Sequence, residues 1–446
     1  MITIPQGAAF IIEKLESAGF EAFVVGGCVR DSLMGIQPHD WDICTSAKPE
    51  ETLTVFADQR VIKTGIAHGT VTVMHEKEPY EVTTYRIDGS YTDSRRPDTV
   101  HFVGNVRDDL SRRDFTINAM AYHPTRGLLD AFGGEKDLQS KTIRCVGDAK
   151  ARFEEDALRI LRAMRFAAVF GFVIEEKTAR ALMDSKERLK LIAPERIREE
   201  LLRLLTGVGA ADVLRSFAPV LFVVLPELAP MHGLLQHNPY HYLDVWEHTL
   251  AAVAAAPRDY VLRLTMLLHD AGKPACYFMD EKGIGHFYGH PEVSLKITKV
   301  IMDRLRFDNQ TKAVVEELVL FHDATIPARP KNVLKWLNRI GEERLKQLFP
   351  VKRADACAQH PDKRQAKLEA IDQLEACVHR VLESGVPYRL KELAVTGNDL
   401  SAIGIAPGKP LGELLKALLK MVMEGRVANE KETLLHAAQK LLGKGL

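Results

Sequence analysis

The sequence predicts an α+β protein: a head built on a small mixed sheet, followed by an all-helical remainder. Three observations predict it. Residues 1–147 alternate short apolar runs with polar turns. From about Asp148 onward apolar residues recur at helical spacing, with few strand signals. The chain has 446 residues of ordinary soluble composition, 46% hydrophobic and 27% charged, enough for roughly two to four cores.

The elements follow in order. MITIPQGAAFIIEKLESAGF lacks a cationic start before a long apolar core, so it predicts an amphipathic helix and not a signal peptide. Ala22 to Val25 predicts a buried strand, and Gly26 and Gly27 its turn into a helix over 28–34. HDWDI predicts a second strand. GTVTVMHEKEPYEVTTYR alternates around a charged turn and predicts a hairpin. RIDGSYTDSRRPDTVHF reads as a mobile polar loop, or else a plain surface connection. EEDALRILRAMRFAAVFG begins with acids and ends at Gly171, as one helix would. Pro194 suits the first position of the helix PERIREELLRLL. Residues 216–240 hold several prolines and glycines and read as a junction. Pro327 and Pro330 mark a further break, and from about Tyr388 a helical tail carries the turn IAPGKPLGELL. Four regions result: 1–147, 148–215, 216–387 and 388–446.

Bulk properties exclude several classes. Formal net charge is zero, so a nucleic-acid site must be a local patch. No apolar run is long enough to span a membrane. Cys28, Cys44, Cys145, Cys276, Cys357 and Cys377 form no CxxC pair, which points to reduced thiols in the cytoplasm and against a zinc ribbon.

Asp40 and Asp42 are the most informative residues. On a strand, residues i and i+2 share a face, so both carboxylates project together. Paired carboxylates on a rigid element suit Mg²⁺ bound with substrate phosphates. The alternative is a plain DxD turn, against which the Gly-Gly–helix unit in front weighs.

VVGGCVRDSLMG, HDWDICTSA, RRDFTINAMAY and EEDALRILRAMRFAA, in this order, resemble class II tRNA nucleotidyltransferases, the CCA-adding enzymes. Related bacterial poly(A) polymerases share the first motifs. The likeness runs through roughly the first 205 residues, with a looser one in the tail. It implies a nucleotidyltransferase head at 1–147, a neck at 148–215, a body at 216–387 and a tRNA-binding tail at 388–446, in an elongated molecule. It implies addition of C, C and A to the tRNA 3′ end from CTP and ATP without a nucleic-acid template.

The resemblance places the metal on Asp40 and Asp42, and the nucleotide at Gly27, Arg30 and Arg113. The alternative for Arg30 is a salt bridge to Asp31. Glu81 is either a third carboxylate or an exposed strand residue, and Asp114 reads as a cap or pairing residue. The resemblance makes Asp156 and Arg159 a protein template. An aspartate accepts and an arginine donates, matching the edge that cytosine and adenine share and clashing with uracil and guanine. Arg162 and Arg165 continue toward the triphosphate. The alternative is an ordinary amphipathic helix with Leu158, Leu161 and Phe166 in the core. The polar loop at 86–102 is not shortened as it is in CC-only relatives, which favours full CCA addition or A addition.

A second constellation resembles the HD metal-dependent phosphohydrolases: His248, His269 with Asp270, and Asp323. These are candidate ligands for another divalent metal, with His290 and His322 available for a phosphate or a second ion. The alternative is a retained scaffold without metal. Between Arg329 and Lys367 stand 11 Lys/Arg against 4 Asp/Glu, which suits tRNA phosphates or a solvated face. Lys409, in the tail turn before a helix, reads as a phosphate contact or a cap. The competing readings are A addition only, a poly(A) polymerase, a phosphohydrolase as the main activity, and a non-enzymatic RNA-binding scaffold.

Overall fold

The computed structural model describes residues 2–89 and 100–442. They divide into two units, Met1–Ala229 with Ile301–Phe307, and Pro230–Val300 with Asp308–Leu446.

The first unit carries a seven-stranded mixed sheet. Its spatial order is Arg60–Ile62, Thr70–His75, Glu78–Thr84, Ile43–Thr45, Ala22–Val25, Met120–His123, Gly127–Asp130. Only the Ile43–Thr45 and Glu78–Thr84 pair is parallel. Alternation sorts the side chains. Val24, Ile43, Val71, Val73 and Val82 meet helix Gln6–Ser17 through Ala8, Ile11, Ile12 and Leu15. Phe23, Val25 and Cys44 point the other way, against Leu110, Ala119 and Val146. The predicted hairpin turns at Glu76 and Lys77, both at positive φ, the type I′ geometry that matches strand twist.

Two local expectations change. HDWDI is not all strand: the strand begins at Ile43. Asp42 still extends the ladder, because its carbonyl accepts from the Val25 amide at 2.9 Å. EEDALRILRAMRFAAVFG is not one helix. Helix Ala149–Glu155 stops at Asp156 (φ −136°, ψ 104°), and helix Leu158–Phe170 follows, ending at Gly171 with φ 67°. The Asp156 carboxylate accepts from the Leu158 amide at 2.9 Å, so its side chain competes with helix continuation.

The polar loop lies mostly outside the described residues; its flanks Arg86–Asp88 and Val100–Phe102 pair antiparallel. Residues 216–240 contain helix Ala218–Val224 and the 3₁₀ turn Pro226–Met231, and the boundary between the units falls there.

The second unit is helical apart from a two-residue hairpin, Phe278–Met279 with Gly285–His286. The helical span Pro330–Cys357 is two helices that meet at Gly341 (φ 79°, ψ 168°). All six cysteines are free thiols. Among the described residues no helix is long and apolar enough to cross a membrane.

Candidate active site

In the head, the parallel ladder pairs Ile43 with Val82. It therefore sets Glu81 beside Asp42. Burial pushes the Asp42 carboxyl up to about 6; Arg113 pulls it down, and Asp40 and Glu81 push it up. Asp40 and Glu81 thus act on Asp42, with Arg113 as the nearby cation. Oxygen donors with excess negative charge beside two central strands suit a hard divalent cation.

Gly26 holds φ 83° and ψ −126°, a conformation that L residues rarely adopt. A Cβ there would stand 2.6 Å from Arg113 Nη1. The missing side chain therefore makes room for the Arg113 guanidinium. Gly27 opens helix Gly27–Leu33. Arg113 also lies 3.7 Å from Asp109, and its Nε is buried without a hydrogen bond.

Arg30 is buried. It donates to Asp31 at 2.8 Å and to Asn118 at 2.5 Å, and its guanidinium lies over the rings of Phe166 and Phe170. The pairing with Asp31 weighed as an alternative is present. Asp114 is a pairing residue. It takes a bidentate fork from Arg162 at 2.8 and 2.6 Å, and also accepts from Asn118 and the Phe115 amide. Burial alone would raise its carboxyl. Arg162 and Asn118 outweigh burial and hold it well below the usual carboxylate range. Arg162 is thereby committed to Asp114, and Arg165 to Glu200 at 2.5 Å.

Asp156 and Arg159 flank the helix break instead of sharing a helix face. Asp156 takes a bond from Arg196 at 3.0 Å. Arg159 donates Nη1 to Glu155 at 2.6 Å and to the Arg152 carbonyl at 3.1 Å. Its Nη2 donates to the Arg112 carbonyl at 3.0 Å, which anchors it beside the Arg113 segment. Of five guanidinium N–H groups, Nε–H and one on Nη2 stay available for a ligand.

The second unit gathers its histidines around one carboxylate. His248 and His269 place Nε2 at 3.3 and 3.2 Å from one Asp270 oxygen. His290 and His322 place Nε2 at 3.3 and 3.7 Å from the other. Asp270 is fully buried, and neither oxygen receives a well-directed hydrogen bond, although Lys273 Nζ stands 2.7 Å from one. Burial would raise this carboxyl; His269 and Lys273 hold it well below its usual range. An imidazole pair on each oxygen of a bridging aspartate fits two divalent ions.

Asp323 is not in this group. Consecutive helical residues point about 100° apart, so the turn that aims His322 at Asp270 carries its neighbour away. Asp323 lines the same cavity, beside Lys352. Asp355, from the span Pro330–Cys357, stands instead 3.1 Å from His248 Nε2 and 3.8 Å from His269 Nε2. Sequence reasoning missed it. Its one signal is an acid set among Ala354, Ala356 and Ala358 in an otherwise basic segment.

Part of that basic segment is paired with acids. Arg353 pairs with Asp372 and Glu375, Arg344 with Glu317, and Lys331 with Glu424. Lys335 and Lys363 remain exposed.

Residues 22–144 match the poly(A) polymerase head domain, and residues 292–438 match tRNA nucleotidyltransferase domain 2. The CCA-adding enzyme of Limosilactobacillus fermentum is 35% identical over 97% of this chain and 96% of its own length. That of Lactobacillus delbrueckii subsp. bulgaricus is 36% identical over 94% of each. The crystal structure of the Bacillus stearothermophilus CCA-adding enzyme in complex with CTP aligns over 99% of both chains, at 29% identity and a TM-score of 0.75. The Thermotoga maritima enzyme complexed with tRNA shares the fold at 20% identity and a TM-score of 0.63. With this likeness running the length of the chain, the protein belongs to the CCA-adding enzyme family of tRNA nucleotidyltransferases.

Proposed function

We propose that this protein adds C, C and A to the 3′ end of tRNA in the cytoplasm, using CTP and ATP and releasing pyrophosphate. One observation carries the reading: the Asp42 carboxyl feels Asp40, Glu81 and Arg113, and the carbonyl of Arg112, next to Arg113, accepts from Arg159. Regions 1–147, 148–215, 216–387 and 388–446 act as head, neck, body and tail.

Asp40 and Asp42 would hold Mg²⁺, which when bound would neutralise charge at the triphosphate and favour ionisation of the attacking hydroxyl. Gly27 lets the backbone approach the phosphates, and Arg113 offers them a fork of donors. Glu81 completes the negative side of the site. Arg30 braces the helix that starts at Gly27 through Asn118. The tRNA 3′-hydroxyl attacks the α-phosphate, and pyrophosphate leaves.

Asp156 accepts from the exocyclic amine of C or A, while Arg159 donates to the adjacent ring nitrogen. Glu155 and two carbonyls fix Arg159 so that it turns the same edge to every incoming base. Uracil and guanine leave these groups unpaired, which costs several-fold to many-fold in rate. Arg162 and Arg165 hold the neck helix in place through Asp114 and Glu200.

The test supplies single labelled nucleotides to tRNA ending at the discriminator base or at CC. Full CCA addition is expected. Extension of tRNA-CC alone would select A addition, and repeated A addition to unrelated RNA a polymerase. Arg159→Ala should lower discrimination against UTP and GTP at least about tenfold, because a hydrogen-bonding edge supplies the rejection. Equal loss of all four nucleotides would reject the template role.

The orphaned oxygens of Asp270 support a second reading, a divalent-metal site in the body. His248, His269 and Asp355 would hold one ion, His290 and His322 the other, and Asp270 both. Such a site suits phosphoester chemistry.

A further inference from the structure

Asp109 is completely buried. It lies on helix Val106–Ser111, three and four residues before Arg112 and Arg113, the spacing that brings side chains together along a helix. One carboxylate oxygen is engaged. Oδ1 accepts from Arg112 Nε at 3.0 Å and from the Arg86 amide at 3.3 Å, with Arg112 Nη2 at 2.9 Å. The other, Oδ2, is buried and has no hydrogen-bond partner among the described residues. The cation it faces is Arg113, whose Nη2 stands 3.7 Å away. Arg113 has a matching gap: its Nε is also buried without a partner among the described residues.

A buried carboxylate is costly unless cations meet it. Arg112 already meets Oδ1, so the remaining oxygen is directed at Arg113. A second pull on Arg113 comes from the metal carboxylates. Its charge acts on Asp42, which also feels Asp40 and Glu81. An arginine left to these three alone would swing onto them and compete with Mg²⁺ for the same oxygens. Asp109 offsets that pull, while the space beside Gly26 admits Arg113 Nη1. Long side chains lose entropy when ordered, so an arginine ordered beforehand grips phosphate more tightly. Arg112 and the Arg86 amide fix Asp109 itself, so the counterweight stays in place.

From this arrangement we infer that Asp109 is a positioning residue for nucleotide addition: fully enclosed, it touches no substrate, and it holds the Arg113 guanidinium ready for the triphosphate. The inference rests on the proposed role of Arg113 at the phosphates. It does not depend on Asp156 and Arg159 reading the base. The triphosphate is common to CTP and ATP, so loss of Asp109 weakens both nucleotides alike and leaves the choice between bases unchanged.

The experiment is a double-mutant cycle on the full-length protein. It reads KM and kcat for CTP on tRNA ending at the discriminator base and for ATP on tRNA ending at CC. Asp109→Asn keeps the volume and removes the charge. It should raise both KM values about fivefold or more, a coupling usual for groups in contact, with kcat changed less than KM. Affinity for tRNA in a gel-shift assay should hold, which also reports on folding. In an Arg113→Gln background the same substitution should add nothing. A purely structural role would act equally in both backgrounds, so equal effects overturn the inference, as does an unaltered KM. An Arg113→Gln protein with unaltered KM for both nucleotides rejects the phosphate role of Arg113, and the inference with it. A raised KM in Arg113→Gln beside a silent Asp109→Asn rejects the inference alone. Should Asp109→Asn fail to fold, Asp109→Glu replaces it in the cycle, since moving the carboxylate by one methylene misplaces the guanidinium. A rise in KM that requires Arg113 is again expected, and its absence overturns the inference.

Discussion

Replacing Asp114→Asn should loosen the joint between head and neck more than it alters nucleotide handling. The wild-type carboxylate accepts four hydrogen bonds, two of them from Arg162. Asparagine keeps the volume and an acceptor oxygen but removes the charge. Arg162 is then left with Glu200, 3.8 Å away. Removing one partner of a buried ion pair costs about 3–5 kcal/mol, and the retained acceptor argues for the lower end. For a unit of this size each kcal/mol moves the midpoint by about 2–4 °C, so a loss of about 6–12 °C is expected. The assay is scanning calorimetry from pH 8 to pH 3. The folded carboxyl is depressed, so its contribution is present above the ordinary carboxylate range of about 4 and fades as pH falls below it. The gap between the two proteins should therefore hold from pH 8 to pH 5 and narrow below about pH 4. An unchanged midpoint at pH 7 would refute the reasoning, as would a gap that widens with acid.

Asp42 runs the opposite way. Its carboxyl is raised to about 6, so stability falls as pH climbs from the ordinary carboxylate range of about 4 to about 6, and the cost is constant above that. Without divalent metal, Asp42→Asn should raise the midpoint at pH 7.5 and leave it nearly unchanged at about pH 4, with a partial rise at pH 5, while cutting nucleotide addition by at least about a hundredfold. Gly26→Ala forces a side chain into a glycine-only conformation and against Arg113; about 1–3 kcal/mol of strain is expected, with KM for CTP rising while tRNA affinity in a gel-shift assay holds. Asp355→Asn should lower Mn²⁺ affinity in equilibrium dialysis at least about tenfold, and Asp323→Asn should not.

Much of this was legible in the sequence because local patterns carried it. Alternation around Glu76 and Lys77 marks a hairpin whatever surrounds it, and Gly26–Gly27 marks a strand-to-helix turn. The premise that put Asp40 and Asp42 on one strand face did not hold locally, because the strand begins only at Ile43. The break at Asp156 was not legible, since its flanks have helical spacing on both sides and a single side-chain bond to Leu158 decides the matter. Asp355 was hidden for another reason: its partners His248 and His269 lie some hundred residues earlier, and no spacing rule connects distant helices. The acids that pair with Arg353, Arg344 and Lys331 in the basic stretch from Arg329 likewise come from other helices, which no spacing rule shows.

The bond from Arg159 to the Arg112 carbonyl and the fork from Arg162 to Asp114 straddle Arg113 on both sides. On the proposed reading, the residue that grips phosphate and the one that reads a base are thus riveted to a common frame, like the jaws of a fixed-gap caliper. Cytosine and adenine differ in width, and a caliper of one setting does not widen for the larger. The adjustment between successive additions therefore falls to the sugar, the triphosphate and the growing tRNA end, which must shift against a stationary gauge.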